Sequence, residues 1–143
     1  MNEYIPSTTK WVADQVELYE KSEGREGTTL RGLPVIIVTN IGKVTGALRK
    51  TPLMRVADGN GYVLVASQGG SPKHPSWYHN LKAEPKVTIR DRSGVYNMIV
   101  REIEDQTERA RLWDLAVQSY PPYQDYQDKT DRVIPVFLAE PNT

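Results

Sequence analysis

Cysteine is absent from the 143 residues. That excludes a disulfide scaffold, a thiol nucleophile, an iron–sulfur cluster and a cysteine zinc site together. Histidine occurs twice, at His74 and His79, five residues apart with no acidic residue between them. Such a pair is a poor metal ligand set, and no metal is expected. The longest apolar runs, residues 33–38 and 62–66, fall far short of the ~20 residues that span a bilayer. No basic-then-apolar signal pattern opens the chain. Neither sign of charge is in excess, with eighteen Lys and Arg against eighteen Asp and Glu. A dedicated nucleic-acid binder is usually strongly basic, so no nucleic-acid partner is expected. A soluble cytoplasmic protein remains.

What is present is a folding composition, 38% apolar and 25% charged. The length predicts one domain over residues 1–143. Charge is segregated along it: residues 1–30 carry net −3, residues 41–92 net +6, and residues 101–143 net −4. A basic centre between acidic ends points to an anionic ligand held by the middle of the chain.

Apolar periodicity predicts a helix at about residues 8–21, with Val12, Val16 and Tyr19 on one stripe and Gly24 and Gly27 stopping it. A second helix opens at Asp105 or Thr107 and runs to Tyr120, where Pro121-Pro122 ends it. Extended patterns occupy residues 34–41, 48–57, 62–68, 86–91, 95–103 and 133–139. Asp58-Gly59-Asn60-Gly61 is a hairpin signal. Pro135 predicts an edge position or a bulge for the last strand. A short helix starts near Pro75. About six antiparallel strands joined mostly by hairpins, with peripheral helices, predict a mainly β, α+β fold of the small barrel or sandwich kind.

Familiar catalytic motifs fail. The glycines of Gly42-Lys43-Val44-Thr45-Gly46 have no Gly-Lys-Thr/Ser after them, and Gly59-Asn60-Gly61 lacks the third glycine of a dinucleotide fingerprint. Three segments remain. Strand alternation puts Arg49, Thr51, Leu53 and Arg55 on one face and Lys50 on the other, cations suited to phosphate or carboxylate oxygens. Residues 66–81 run a strand into Gly69-Gly70, then Lys73 and a helix N-terminus, where backbone N–H groups favour an anion. Tyr120, Tyr123 and Tyr126 recur every third residue, which groups them on one side of a helical or 3₁₀ turn. Such a group is either a structural aromatic cluster or a wall for a flat, partly polar molecule.

These residues together resemble a known family. Thr39-Asn40-Ile41-Gly42-Lys43-Val44-Thr45-Gly46, then Leu48-Arg49-Lys50-Thr51-Pro52, Val65-Ala66-Ser67, Gly69-Gly70 and His74-Pro75-Ser76-Trp77-Tyr78-His79-Asn80-Leu81 are similar to the deazaflavin-dependent nitroreductases and quinone reductases of actinobacteria. The tyrosine triplet fits their nitroimidazole-reducing branch, and the likeness covers the chain from about Trp11. The resemblance implies a split β-barrel and coenzyme F420. It implies that Arg49, Lys50, Thr51 and Arg55 hold the cofactor's phosphate and glutamyl tail. Val65, Ala66, Ser67 and Gln68 would lie along the deazaflavin ring, with Ser76, Trp77, Tyr78, His79 and Asn80 lining the rest of the cofactor site. Gln68 stands where relatives often carry lysine. Ser67, Tyr120, Tyr123 and Tyr126 would border the acceptor, Tyr123 also touching the cofactor. The implied catalytic residues are Ser67 and Tyr123.

The implied reaction is hydride transfer from reduced deazaflavin to a small-molecule acceptor, a quinone or, promiscuously, a nitroaromatic or nitroimidazole. Hydroxyls of Ser67 or Tyr123 would stabilise the negative charge that builds on the acceptor oxygen. Split barrels also bind flavin mononucleotide (FMN), so an FMN-dependent reductase or oxidase is the alternative enzyme, and a non-catalytic F420 carrier the alternative to an enzyme. Homodimer formation through an exposed strand edge, and a peripheral contact with the inner face of the plasma membrane, stay open.

Overall fold

A computed structural model describes residues 3–142. The first helix, α1, spans Lys10–Lys21 and not 8–21, because Thr9 is its N-cap with an extended backbone and holds the chain out of the helix up to that point. Then follow β1 (Thr29–Leu30), β2 (Leu33–Ile41), β3 (Leu48–Met54), β4 (Ala57–Asp58) and β5 (Gly61–Val65). A tight turn at Gln68–Gly70 leads to α2 (Ser76–Ala83), β6 (Lys86–Asp91), β7 (Gly94–Glu102), α3 (Gln106–Ser119), α4 (Pro122–Asp128) and β8 (Val136–Pro141).

The eight strands form one antiparallel sheet in the order β1-β2-β6-β7-β8-β5-β4, with β3 on β2. It curls into a half-barrel with four helices around it, the α+β split-barrel class expected. Six of the strands answer to the six apolar patterns; β1 and β4, two residues each, are too short to leave a periodic signal. Three boundaries differ by three residues. The pattern at 48–57 breaks after Met54, the one at 62–68 ends at Val65, and β8 begins at Val136.

Pro135 does not mark an edge. β8 lies inside the sheet, between β7 and β5. Pro135 precedes the strand, where no ladder N–H is needed, and its carbonyl accepts from the Ala66 N–H at 3.0 Å.

Alternation along the strands divides the core in two. Val35, Ile37, Val63, Val65, Val136 and Leu138 join one cluster, closed by Val16 and Tyr19 of α1 and Leu112 and Ala116 of α3. Ile36, Val38, Leu64, Phe137 and Ala139 join the other, closed by Trp77 and Leu81 of α2. The central strands are therefore buried on both faces, which is why they read as nearly continuous apolar runs.

Candidate functional site

A cavity of about 470 Å³ opens where β3, the 42–45 turn, α2 and the start of α1 meet. Lys43, Arg49 and Lys50 line it, and among the described residues no acidic side chain does. Hydroxyls of Thr51 and Ser76 and the amides of Gln68 and Asn80 supply further polar groups. The free edge of β3 explains how Arg49, Lys50 and Thr51 all reach one space despite alternation. Among the described residues β2 is the one strand that pairs with β3, its other edge carries the single Tyr4–Leu48 bridge, and residues 7–9 line the cavity with both faces of β3. The approach is fixed by short bonds, Leu48 N–H to Glu3 O at 2.7 Å and Ile5 N–H to Leu48 O at 3.1 Å.

Lys50 is not idle. Its Nζ meets Glu20 Oε1 of α1 at 2.7 Å, with the two side chains only 18% and 29% exposed, and sits 4.7 Å above the Tyr4 ring. An anion entering the cavity competes with this carboxylate.

α2 presents Ser76, Trp77 and Asn80 to the cavity, the spacing of one helical face. No side chain caps its N-terminus, since Pro75 occupies the cap position. Asn80 is held from both ends: Oδ1 accepts from Lys43 N–H at 2.9 Å, and Nδ2 donates to Asn40 Oδ1 at 3.3 Å. Asn40 is 2% exposed and its own Nδ2 has no partner among the described residues.

Other expected residues lie elsewhere. Arg55 falls beyond the end of β3, donates to Asp91 Oδ2 at 2.9 Å, and lines a separate cavity with Tyr62 and Tyr96. The alternation that grouped it with Arg49 stops at Met54, so the structure does not bring it to Lys50. Val65 and Ala66 are buried in the two core clusters. Tyr78 packs on His74, with ring centroids 4.3 Å apart, and donates to Glu102 at 3.2 Å. His79 is exposed beside them. Ser67 is buried, one residue before the turn that carries Gln68 to the cavity wall.

The three tyrosines do converge. Their ring centroids lie 4.9 to 6.3 Å apart. Tyr120 and Tyr126 share a hydroxyl–hydroxyl bond of 2.9 Å, and Arg31 Nη1 donates to Tyr120 Oη at 2.9 Å. Tyr123 is 4% exposed, and burial pushes its phenol well above the ordinary range, so it stays protonated. The cluster does not line the basic cavity. It touches the far side of the same turn: a Cβ on Gly70 would meet Tyr126 O at 2.8 Å.

Residues 11–141 match the family model of the F420H(2)-dependent quinone reductases. The chain belongs to that family. An F420H(2)-dependent quinone reductase of Mycobacterium tuberculosis (strain H37Rv) is 35% identical over 124 residues, covering 85% of this chain and 83% of the relative. A solved F420-H2 dependent reductase, FDR-A, superposes with a TM-score of 0.70 at 50% identity over 75% of this chain and 94% of its own. A solved domain-swapped dimer superposes with a TM-score of 0.74 at 45% identity over 94% of this chain and 100% of its own. As an F420H(2)-dependent quinone reductase family member the chain is an oxidoreductase, and its cofactor is F420.

Two classes of site residue escaped sequence reasoning. Lys43 sits in a glycine-flanked turn whose motif failed as a P-loop, although its charge was legible. Asn40, Arg31 and Arg132 act through partners 40 to 95 positions away, which no local pattern encodes. Among the described residues no group of three or more His, Asp or Glu is placed to hold a metal, and no helix is long and apolar enough to cross a membrane.

Proposed function

We propose that this chain reduces quinones and, promiscuously, nitroaromatic and nitroimidazole compounds, with F420 held in the basic cavity. The observation that carries the reading is the convergence of Lys43, Arg49 and Lys50 without a carboxylate in the lining. A phosphate and glutamyl tail is polyanionic, and a cavity of about 470 Å³ is of the size that takes cofactors. The donor set fits the group. Arg49, Lys50 and Thr51 hold the tail, and Gln68 with α2 borders the ring end.

Reduced F420, when bound, supplies a hydride. The chain supplies position and field. Buried Trp77 gives the cavity an apolar wall, and Asn80, fixed by Lys43 and Asn40, offers one defined orientation. Ser67 immediately precedes the turn, and the protonated Tyr123 belongs to the tyrosine cluster on its far side. We assign them the stabilisation of negative charge on the acceptor oxygen, with Tyr120 and Tyr126 as the acceptor wall.

The test is a fluorescence titration with F420, with menadione reduction as the activity readout. Lys50→Ala should weaken binding by about tenfold or more, the worth of one charge-assisted hydrogen bond. The loss should be largest at low salt. Glu20→Gln should act the other way, tightening binding by about two- to fivefold as the internal competitor is removed. Affinity unchanged in both variants would take the tail out of this cavity.

The reading includes a homodimer, supported by the domain-swapped relative. A membrane contact finds less support. Trp11 and Leu18 are exposed on α1, but Asp14, Glu17 and Glu20 outnumber the lysines of that helix and oppose an anionic surface.

A further inference from the structure

The turn that joins the basic cavity to the tyrosine cluster has an unusual backbone. Gln68, Gly69 and Gly70 all have left-handed φ, at 48°, 61° and 81°. For Gln68 this is a disfavoured conformation that surrounding contacts must enforce. Local bonds are few, Gly70 N–H to Ser67 O and Ser71 N–H to Gln68 O, both 3.0 Å.

The enforcing group comes from the far end of the chain. Arg132, in the segment between α4 and β8, directs its whole guanidinium at residues 66–74. Nη2 donates to Ser67 O at 2.6 Å, Nη1 to Ala66 O at 3.1 Å and Nε to Ser71 O at 2.8 Å. Nη1 also lies 3.0 Å from His74 Nδ1. Arginine can only donate, so Nδ1 accepts and the His74 proton sits on Nε2. Lys129 adds a bond to Gly69 O at 3.1 Å. Every contact is to backbone or to a ring nitrogen, and none is to a carboxylate. An ammonium cannot replace this fork, because it has one nitrogen to place among four separated acceptors.

We infer that Arg132 is the positioning residue of the reaction, fixing the Ser67–Ser71 backbone so that cofactor and acceptor meet on either side of it. This rests on the cavity and tyrosine assignments above. The tail is bound by Arg49 and Lys50 of β3, whereas the fork bonds Ala66, Ser67, Ser71 and His74, so loss of the fork leaves cofactor affinity nearly intact. Turnover suffers, since the ring end and the acceptor wall lose their common reference.

Arg132→Lys tests it, with circular dichroism to confirm folding. Amide hydrogen exchange at Gly70 and Ser71, measured without cofactor, should accelerate. With menadione, kcat should fall by about ten- to a hundredfold, the scale of an ångström-level misplacement. The Kd for F420 should move by less than about threefold, well under one hydrogen bond's worth. Free guanidinium should restore part of the kcat of Arg132→Ala. Unchanged exchange at Gly70 and Ser71 overturns the inference, and so does faster exchange with undiminished kcat. Wild-type protein that fails to bind F420 overturns the cofactor assignment instead, and the exchange comparison still decides whether Arg132 sets the turn.

Discussion

His74 carries a pH signature that follows from its place beside Arg132. Burial lowers its pKa from the ordinary 6.5, the Arg132 and His79 charges lower it further, and Glu102 opposes them. The Tyr78 ring covers its face at 4.3 Å. The folded protein therefore keeps a neutral ring at pH values where the unfolded chain takes up a proton. Between the depressed pKa and 6.5 the unfolded state binds more protons, so stability rises with pH and is lost as pH falls through that window. His74→Asn retains an acceptor for Arg132 and does not titrate. Thermal midpoints followed from pH 7.5 to 5, on the order of that window, should fall more steeply for wild type than for the variant. Parallel curves would mean that His74 does not hold the fork as a neutral acceptor. At this scale spacing made the grouping of the three tyrosines legible, and charge marked Lys50, which lines the cavity. The sequence was silent where a residue acts through a distant backbone. Nothing around Arg132 marks it as different from any other half-buried arginine.

At the scale of elements, α1 and the β6–β7 turn are joined at one point that tolerates no side chain. Gly24 ends α1 at φ +79°, and a Cβ there would run into the Arg92 backbone. The Gly24 N–H donates to Tyr19 O at 2.9 Å, and Arg92 N–H donates to the Tyr19 hydroxyl at 2.7 Å, which in turn donates to Val35 O at 3.0 Å. Gly24→Ala should cost about 2–4 kcal/mol, a left-handed penalty of about 1 added to the overpacking cost. Gly59→Ala is the comparison. Gly59 is also left-handed, at φ +61°, but has nothing within 4 Å of its Cβ position, so only the first cost applies, about 1 kcal/mol. Urea midpoints give both numbers, and equal losses would leave the α1–Arg92 contact without weight. Gly24 was readable as a helix stop and no more. The period of each long element was readable too, but Pro135 was misread, because local sequence cannot tell a proline inside a strand from one just ahead of it.

At the scale of the whole molecule, the charge segregation found along the sequence becomes a contact. The acidic first segment lies against the basic centre, and its point of closure is Glu20 on Lys50 at 2.7 Å. α1 is tied to the body by side chains on one stripe, Val16 and Tyr19 in the core, and its connection to β1 contains left-handed Glu23, Gly24 and Gly27. An element of that kind can be exchanged between two copies with its core contacts preserved, at the cost of reopening the connection, including its packing at Gly24 against Arg92. A solved relative matched over 94% of this chain is a domain-swapped dimer, and exchange of α1 is the route we propose for a homodimer of this chain. In the exchanged form, Glu20 of each copy pairs with Lys50 of the other. A carbodiimide, which couples a carboxylate to an amine already in contact, should then give a covalent dimer on a denaturing gel, and Glu20→Gln should abolish it. Light scattering on the same samples fixes the mass before coupling. A dimer in solution whose coupled product runs as a monomer would place the exchange in another element. A monomer at every concentration would remove the dimer, and each cavity would then be closed by its own α1.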